Sequence, residues 1–130
     1  MKECIFCKII KGELPSKTIY EDNQIKIIMN INPITDGHLL VLPINHSTNI
    51  LDTDKSIWIH TVDIINKKIY PLLKEKLNCE GLTISQNNEL GQEIKHFHIH
   101  LIPRYPEDKI DFSPTSNLSE VDNIFEKLTK

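Results

Sequence analysis

Half of the six histidines in this chain fall in the window His96-Phe97-His98-Ile99-His100, which runs on into Leu101-Ile102. In an extended strand, residues i, i+2 and i+4 share a face. The three imidazoles therefore point one way, and Phe97, Ile99 and Leu101 point the other. Neutral imidazoles in a row can supply a nucleophile, donate to an anion or ligate a metal. One reading is an idle, half-exposed strand face, although Phe97, Ile99 and Leu101 mark core beneath it. A second is a catalytic zinc with water in the fourth position. Against it, three in-line residues converge poorly on one ion, and only Glu93 stands near as a general base. The third takes in the preceding loop, Asn87-Asn88-Glu89-Leu90-Gly91-Gln92. Its amides, glycine and backbone N–H groups suit phosphate oxygens, as a nest does. A neutral imidazole beside a phosphate is a good nucleophile, which favours phosphoryl or nucleotidyl transfer through a phosphohistidine.

A second constellation stands near the N-terminus. Cys4-Ile5-Phe6-Cys7 has the spacing of half a zinc site, and no second cysteine pair exists. A redox pair or two idle thiols read equally well from the spacing alone. The third cysteine, Cys79, follows a helical pattern and reads as a partly buried thiol without a role.

These residues must be positioned by a chain of 130 residues, read as a single domain over 1–130 and long enough to bury a core. The net charge of −3 offers no general attraction for nucleic acid or an anionic membrane, so an anionic ligand needs a local site. No apolar run approaches a membrane span, and Met1-Lys2-Glu3-Cys4 does not open a signal peptide. The expectation is a cytosolic protein whose cysteines are thiols or metal ligands rather than disulfides.

Periodicity supplies the elements. Phe6 to Lys11 forms a helical turn closed by Gly12. Thr18 to Tyr20, Gln24 to Asn30 and His38 to Leu42 read as strands, the last buried on both sides and ended by Pro43. Ile25, Ile27 and Met29 share one face. From Asp52 to Asn78 the spacing turns helical through Ile57, His60 or Thr61, Ile64, Ile65, Ile69 and Leu72, with Asp52, Thr53 or Asp54 as cap. Pro71 must kink this helix or start another. Trp58 is expected to present an exposed face that a partner helix could cover. Gly81 to Gln86 and Ile94 to Ile102 read as strands, the latter stopped by Pro103. Ser119 opens an amphipathic C-terminal helix through Val121, Ile124, Phe125 and Leu128. Strands joined by short turns, with one long helix inserted, predict an α+β fold: an antiparallel sheet of about five strands, one long helix and shorter flanking helices.

The chain resembles the histidine-triad (HIT) proteins, nucleotide hydrolases and transferases whose signature is His-φ-His-φ-His-φ-φ with φ apolar. The likeness extends over Cys4-Ile5-Phe6-Cys7-Lys8-Ile9-Ile10, Gly12-Glu13-Leu14-Pro15-Ser16, Asp36-Gly37-His38-Leu39-Leu40-Val41-Leu42-Pro43, His46, Gly91-Gln92-Glu93 and Ile102-Pro103-Arg104. It is nearest to the bacterial and archaeal Hint-like branch. The resemblance implies that His98 attacks the α-phosphate of a nucleotide, giving a nucleotidyl-histidine that water hydrolyses. His100 would bond the phosphate and leaving-group side, while Gln92 and the backbone of Gly91 to Glu93 would hold phosphoryl oxygens. His38 matches a histidine behind the triad that sets its tautomers; a satisfied core histidine is the alternative.

Phe6, Ile9, Ile28 and Ile31 match positions that sandwich the base, although plain core is an equal reading of apolar residues. Asn30 stands where many members carry an aspartate that grips the ribose. Asn87 belongs to the loop, which looks shorter than in bacterial members. Glu93 stands where eukaryotic Hint proteins carry a serine near the leaving group. The resemblance further implies a structural zinc held by Cys4, Cys7, His46 and His96, and a homodimer. Its implied substrates are AMP or GMP derivatives such as purine nucleoside 5′-phosphoramidates, with dinucleoside polyphosphates or a merely regulatory nucleotide site as alternatives. Arg104 reads as a phosphate contact or a surface ion pair.

Overall fold

The computed structural model describes residues 4–130; Met1–Glu3, which the signal-peptide reading needs, lie outside the described residues. Five strands form one antiparallel sheet in the order β1-β2-β3-β5-β4. They are β1 (Thr18–Glu21), β2 (Ile25–Met29), β3 (Leu39–Pro43), β4 (Gly81–Ser85) and β5 (Ile99–Arg104). The helices are α1 (Ile5–Ile10), α2 (Lys55–Ile64), α3 (Tyr70–Leu77) and α4 (Val121–Thr129). This is the α+β plan expected from the spacing.

The two faces of the sheet carry different burdens. One face brings Ile25, Ile27, Leu39, Val41, Ile99 and Leu101 against Ile64, Ile65, Ile69 and Leu73 of the helical layer. Phe97 completes this core, and Trp58 packs edge-on to its ring at 5.3 Å between centroids. Trp58 is thus half-buried against the core, while its neighbour Ile59 takes the outward position. On the opposite face Ile28, Leu40 and Leu42 pack against Phe6 of α1, and His100 sits in register with Leu40. β3 is therefore apolar on both sides, as a central strand under two layers is, while β2 adds Lys26 to the α1 face, its Nζ directed at the Ile9 carbonyl.

The long helix is interrupted in a way that the pattern left open. Asp54 caps α2 by accepting from the Ser56 N–H at 2.9 Å, so neither Asp52 nor Thr53 is the cap. Between α2 and α3 the segment Ile65–Ile69 is π-helical, and the Tyr70 N–H donates to the Ile65 carbonyl five residues back. Pro71 has no N–H for the carbonyl four residues back and its ring crowds it; the wider turn relieves both problems. The extra residue rotates the last turn, so Leu73 is buried where the spacing predicts Leu72.

Four further expectations are corrected. The histidine strand begins at Ile99, not Ile94, because β3 ends its pairing with β5 at Val41↔Ile99; His96 and His98 precede the ladder but keep its alternation. Pro103 does not stop the strand, since it still pairs with Leu82 of β4 after β3 has ended. Ser119 does not open α4, which starts at Val121 with Glu120 at the cap position, and no residue of that helix is buried. Cys79 is fully enclosed in the helical-side core rather than partly buried.

Candidate functional site

The three triad rings do not share an environment, and each has its proton fixed by a different partner: a backbone carbonyl for His96 and for His98, the His38 ring for His100. His98 Nδ1 lies 2.8 Å from the His96 carbonyl oxygen. A carbonyl only accepts, so Nδ1 carries the proton and Nε2 keeps its lone pair. His96 Nε2 lies 3.0 Å from the Pro43 carbonyl, which by the same logic leaves the lone pair on Nδ1. The Ile34 N–H donates to His38 Nδ1 at 3.0 Å, so neutral His38 is protonated on Nε2. That atom is 2.9 Å from His100 Nδ1 and donates to it, which leaves His100 with an N–H on Nε2. The result is a ring with a free lone pair (His98) beside a ring that donates (His100), their centroids 5.1 Å apart.

Burial keeps these rings neutral. Desolvation lowers the imidazole pKa of His38 and His98, and pushes His100 down to about 4, with the neighbouring rings of His98 and His38 adding to the effect. For His98 the hydrogen bond to the His96 carbonyl and the charge of Glu93 work in the opposite direction without overcoming burial.

His98 and His100 open onto a cleft of about 460 Å³, within the size range of small-molecule sites. One end is apolar: Phe6, Ile9, Ile28, Ile31, Ile34 and Leu40 line it. Phe6 stands edge-on to His98 with 5.0 Å between centroids. Ile31 is 89 % exposed, so its side chain is free to cover a flat ligand. The other end is polar, formed by Asn87, Gly91 and Glu93. Among the described residues no lysine or arginine lines the cleft, so an anion held by them must rest on neutral donors.

Two of the sequence-derived residues are placed differently from their neighbours. Gln92 is buried and spent within the loop: its Nε2 donates to the Thr48 carbonyl at 2.6 Å and its Oε1 accepts from the Glu89 N–H at 3.1 Å. Its side chain is not on the cleft wall. Asn30 does line the cleft, but its Oδ1 accepts from the Asn32 N–H at 2.8 Å and its Nδ2 stands 3.4 Å from His38 Nε2. Arg104 is an ion-pair residue, its guanidinium donating to both carboxylate oxygens of Asp108 at 2.8 and 3.0 Å.

The sequence missed the bracing of the loop. Gln86 and Asn88 exchange two side-chain hydrogen bonds of 2.8 Å each, and Asn88 Oδ1 also accepts from the Ile50 N–H at 2.7 Å. Gly91 turns the loop with φ of +97°, a conformation that favours glycine. Also missed is the contact of α2 with the β1–β2 turn, where His60 Nε2 meets Asp22 Oδ2 at 2.6 Å and the Tyr20 hydroxyl donates to the same oxygen at 2.7 Å. No local spacing announces either feature.

Away from the cleft, His96 turns its Nδ1 to Cys4, Cys7 and His46. The four ligand atoms lie within 4.8 Å of one another, and the group could hold a metal ion. Cys4 Sγ is 3.4 Å and Cys7 Sγ 3.6 Å from His96 Nδ1; Cys7 Sγ is 3.3 Å from His46 Nδ1; the two nitrogens are 3.1 Å apart. Three distant parts of the chain are thus joined: Cys4 at the cap of α1 and Cys7 within it supply the thiols, the loop after β3 supplies His46, and the approach to β5 supplies His96.

Among known proteins, the family model described as the HIT domain matches residues 11–107. A HIT-like protein of Methanocaldococcus jannaschii is 35% identical over 129 residues, 96% of this chain and 98% of that one. The adenosine 5′-monophosphoramidase HNT1 of Candida albicans is 30% identical over 142 residues, covering 98% and 92%. A solved structure from Streptococcus mutans superposes with a TM-score of 0.84 at 32% identity, covering 98% of this chain and 82% of that one. A zinc-bound histidine triad family protein from Mycobacterium smegmatis superposes with a TM-score of 0.76 at 31% identity, covering 89% and 85%.

Proposed function

This chain belongs to the HIT family, and from that premise we propose that it is a nucleotidyl hydrolase cleaving purine nucleoside 5′-phosphoramidates or related AMP and GMP derivatives at the α-phosphate. The observation that carries the reading is the pair of fixed tautomers: His98 Nε2 offers a lone pair and His100 offers an N–H in one cleft. In this reading the base lies against Phe6, Ile9, Ile28 and Ile31, and the α-phosphate rests near Asn87, Gly91 and His100. His98 Nε2 forms a bond to phosphorus while the P–N bond breaks, its electron pair going to nitrogen, which takes a proton from water at the open end. Water then cleaves the nucleotidyl-histidine, releasing the nucleoside monophosphate and restoring His98. Gln92 serves by holding the loop to Thr48, and Asn30 by holding the turn at Asn32 on the cleft wall. The phosphoramidase relative from Candida albicans supports the reaction class.

Zinc suits the Cys4, Cys7, His46 and His96 set. Zinc–sulfur bonds of about 2.3 Å and zinc–nitrogen bonds of about 2.0 Å at tetrahedral angles require S–N separations of about 3.5 Å and N–N of about 3.3 Å. The S–N separations of 3.3–3.6 Å and the N–N separation of 3.1 Å fit these values. With all four positions held by protein the ion would be structural, and the Pro43 carbonyl would orient His96 from outside. A reducing, cytosolic setting would keep both thiols available. The same proposal includes one domain across 1–130 and a homodimer, for which the exposed Ile59 and Val62 of α2 offer apolar surface. Among the described residues no helix is long and apolar enough to cross a membrane.

The experiment is turnover of adenosine and guanosine phosphoramidates and diadenosine polyphosphates by the purified protein, with His98→Ala alongside. His98-dependent release of nucleoside monophosphate from a phosphoramidate is the expected result. Cleavage of the dinucleotides alone would reassign the leaving group, and binding without turnover would leave a regulatory module.

A further inference from the structure

We propose that Glu93 selects the leaving group, favouring an amine that carries a second, positive charge and disfavouring sulfate, phosphate or any other anionic group. This rests on the nucleotidyl-transfer reading and deepens it. With the base on the apolar wall of Phe6 and Ile28 and the α-phosphate between His98 and the loop of Asn87 and Gly91, the departing group comes out on the loop side, where Glu93 lines the cleft.

Among the described residues Glu93 is the one carboxylate lining the cleft, and no lysine or arginine lines it. Lys95 is exposed and lies off the cleft wall, and the salt bridges among the described residues do not include Glu93. Its carboxylate is therefore uncompensated toward a ligand. An anionic departing group would gather negative charge beside this carboxylate with no cation to spread it. An ammonium on the departing group would instead find its counter-charge. Because Glu93 is exposed, the medium is close to water, and a unit charge at ~5 Å gains or loses about fourfold in rate.

The test compares kcat/KM for three adenosine 5′-phosphoramidates of matched length: a neutral propylamine, a diamine with a terminal ammonium, and an amino acid with a terminal carboxylate. The metal-loaded full-length protein is used at low ionic strength. Each rate is divided by that of Glu93→Gln, because the three amines differ in intrinsic reactivity. The expected order is ammonium over neutral over carboxylate, each step about fourfold, shrinking as salt is raised. Glu93→Lys should invert the order, and Glu93→Asp should preserve it. Normalised rates that are equal across the series, or unmoved by Glu93→Lys, overturn the proposal while the hydrolase reading stands. No cleavage of any of the three overturns both.

Discussion

The set of Cys4, Cys7, His46 and His96 and the set of His38, His98 and His100 draw their triad histidines from one five-residue stretch, yet the proposed function gives them opposite tasks. His96 gives its Nε2 proton to the Pro43 carbonyl and turns Nδ1 to two thiols, while His98 gives its Nδ1 proton to the His96 carbonyl and keeps Nε2 for the cleft. The difference lies in which ring nitrogen the backbone occupies. A clamp needs all of its ligand atoms satisfied inward; a reactive site needs one atom left unsatisfied and facing a ligand. Phe6 touches both, with centroids 5.8 Å from His96 and 5.0 Å from His98, because it lies between Cys4 at the cap of α1 and Cys7 within it.

The sharpest way to separate the halves is His98→Ala. Turnover should fall by about 10⁴-fold or more, with metal content by elemental analysis unchanged. Loss of the metal along with activity would show that the halves are one unit. The reverse cut is Cys7→Ser, which should release the ion and lower Tm by about 10 °C, since ion binding and folding share their free energy. Activity should then be lost chiefly through unfolding, and it should return at temperatures where the variant still folds.

A smaller effect is expected from His38→Ala, which removes the donor to His100 Nδ1 and frees that ring to take either tautomer. A loss of about 10²-fold in kcat with nucleotide affinity retained is expected. An unchanged kcat would make His38 a core residue only. The mildest test is titration by NMR. The ring of His100 should stay neutral from pH 7 down to about pH 4, because burial disfavours its charged form. The unfolded chain takes up that proton near the ordinary imidazole value of about 6.5. Folded-state pKa is thus lowered, so the stability this ring contributes is present above about pH 6.5 and drains away as pH falls toward about 4. A Tm flat over that interval, with His100 titrating near 6.5, would place the ring in water rather than behind His38.

What was legible in the sequence was what repeats locally. Alternation put Phe97, Ile99 and Leu101 in the core, and CxxC put two sulfurs on one helical turn. What was not legible depended on distant backbone. No pattern says that β3 stops pairing at Val41↔Ile99, that the Ile34 N–H reaches His38, or that Gln92 turns inward to Thr48. The C-terminal helix marks the same boundary: its amphipathic spacing was readable, but its exposure throughout was not, because burial depends on what lies opposite.

The most direct test of nucleophilic attack by His98 is the stereochemical course at phosphorus. An adenosine phosphoramidate made chiral at the α-phosphorus with sulfur is hydrolysed in heavy-oxygen water, and the configuration of the product is read. Two displacements, through His98 and then water, give net retention, which is the expected result. Net inversion would mean that water attacks directly, and would contradict the covalent role assigned to His98.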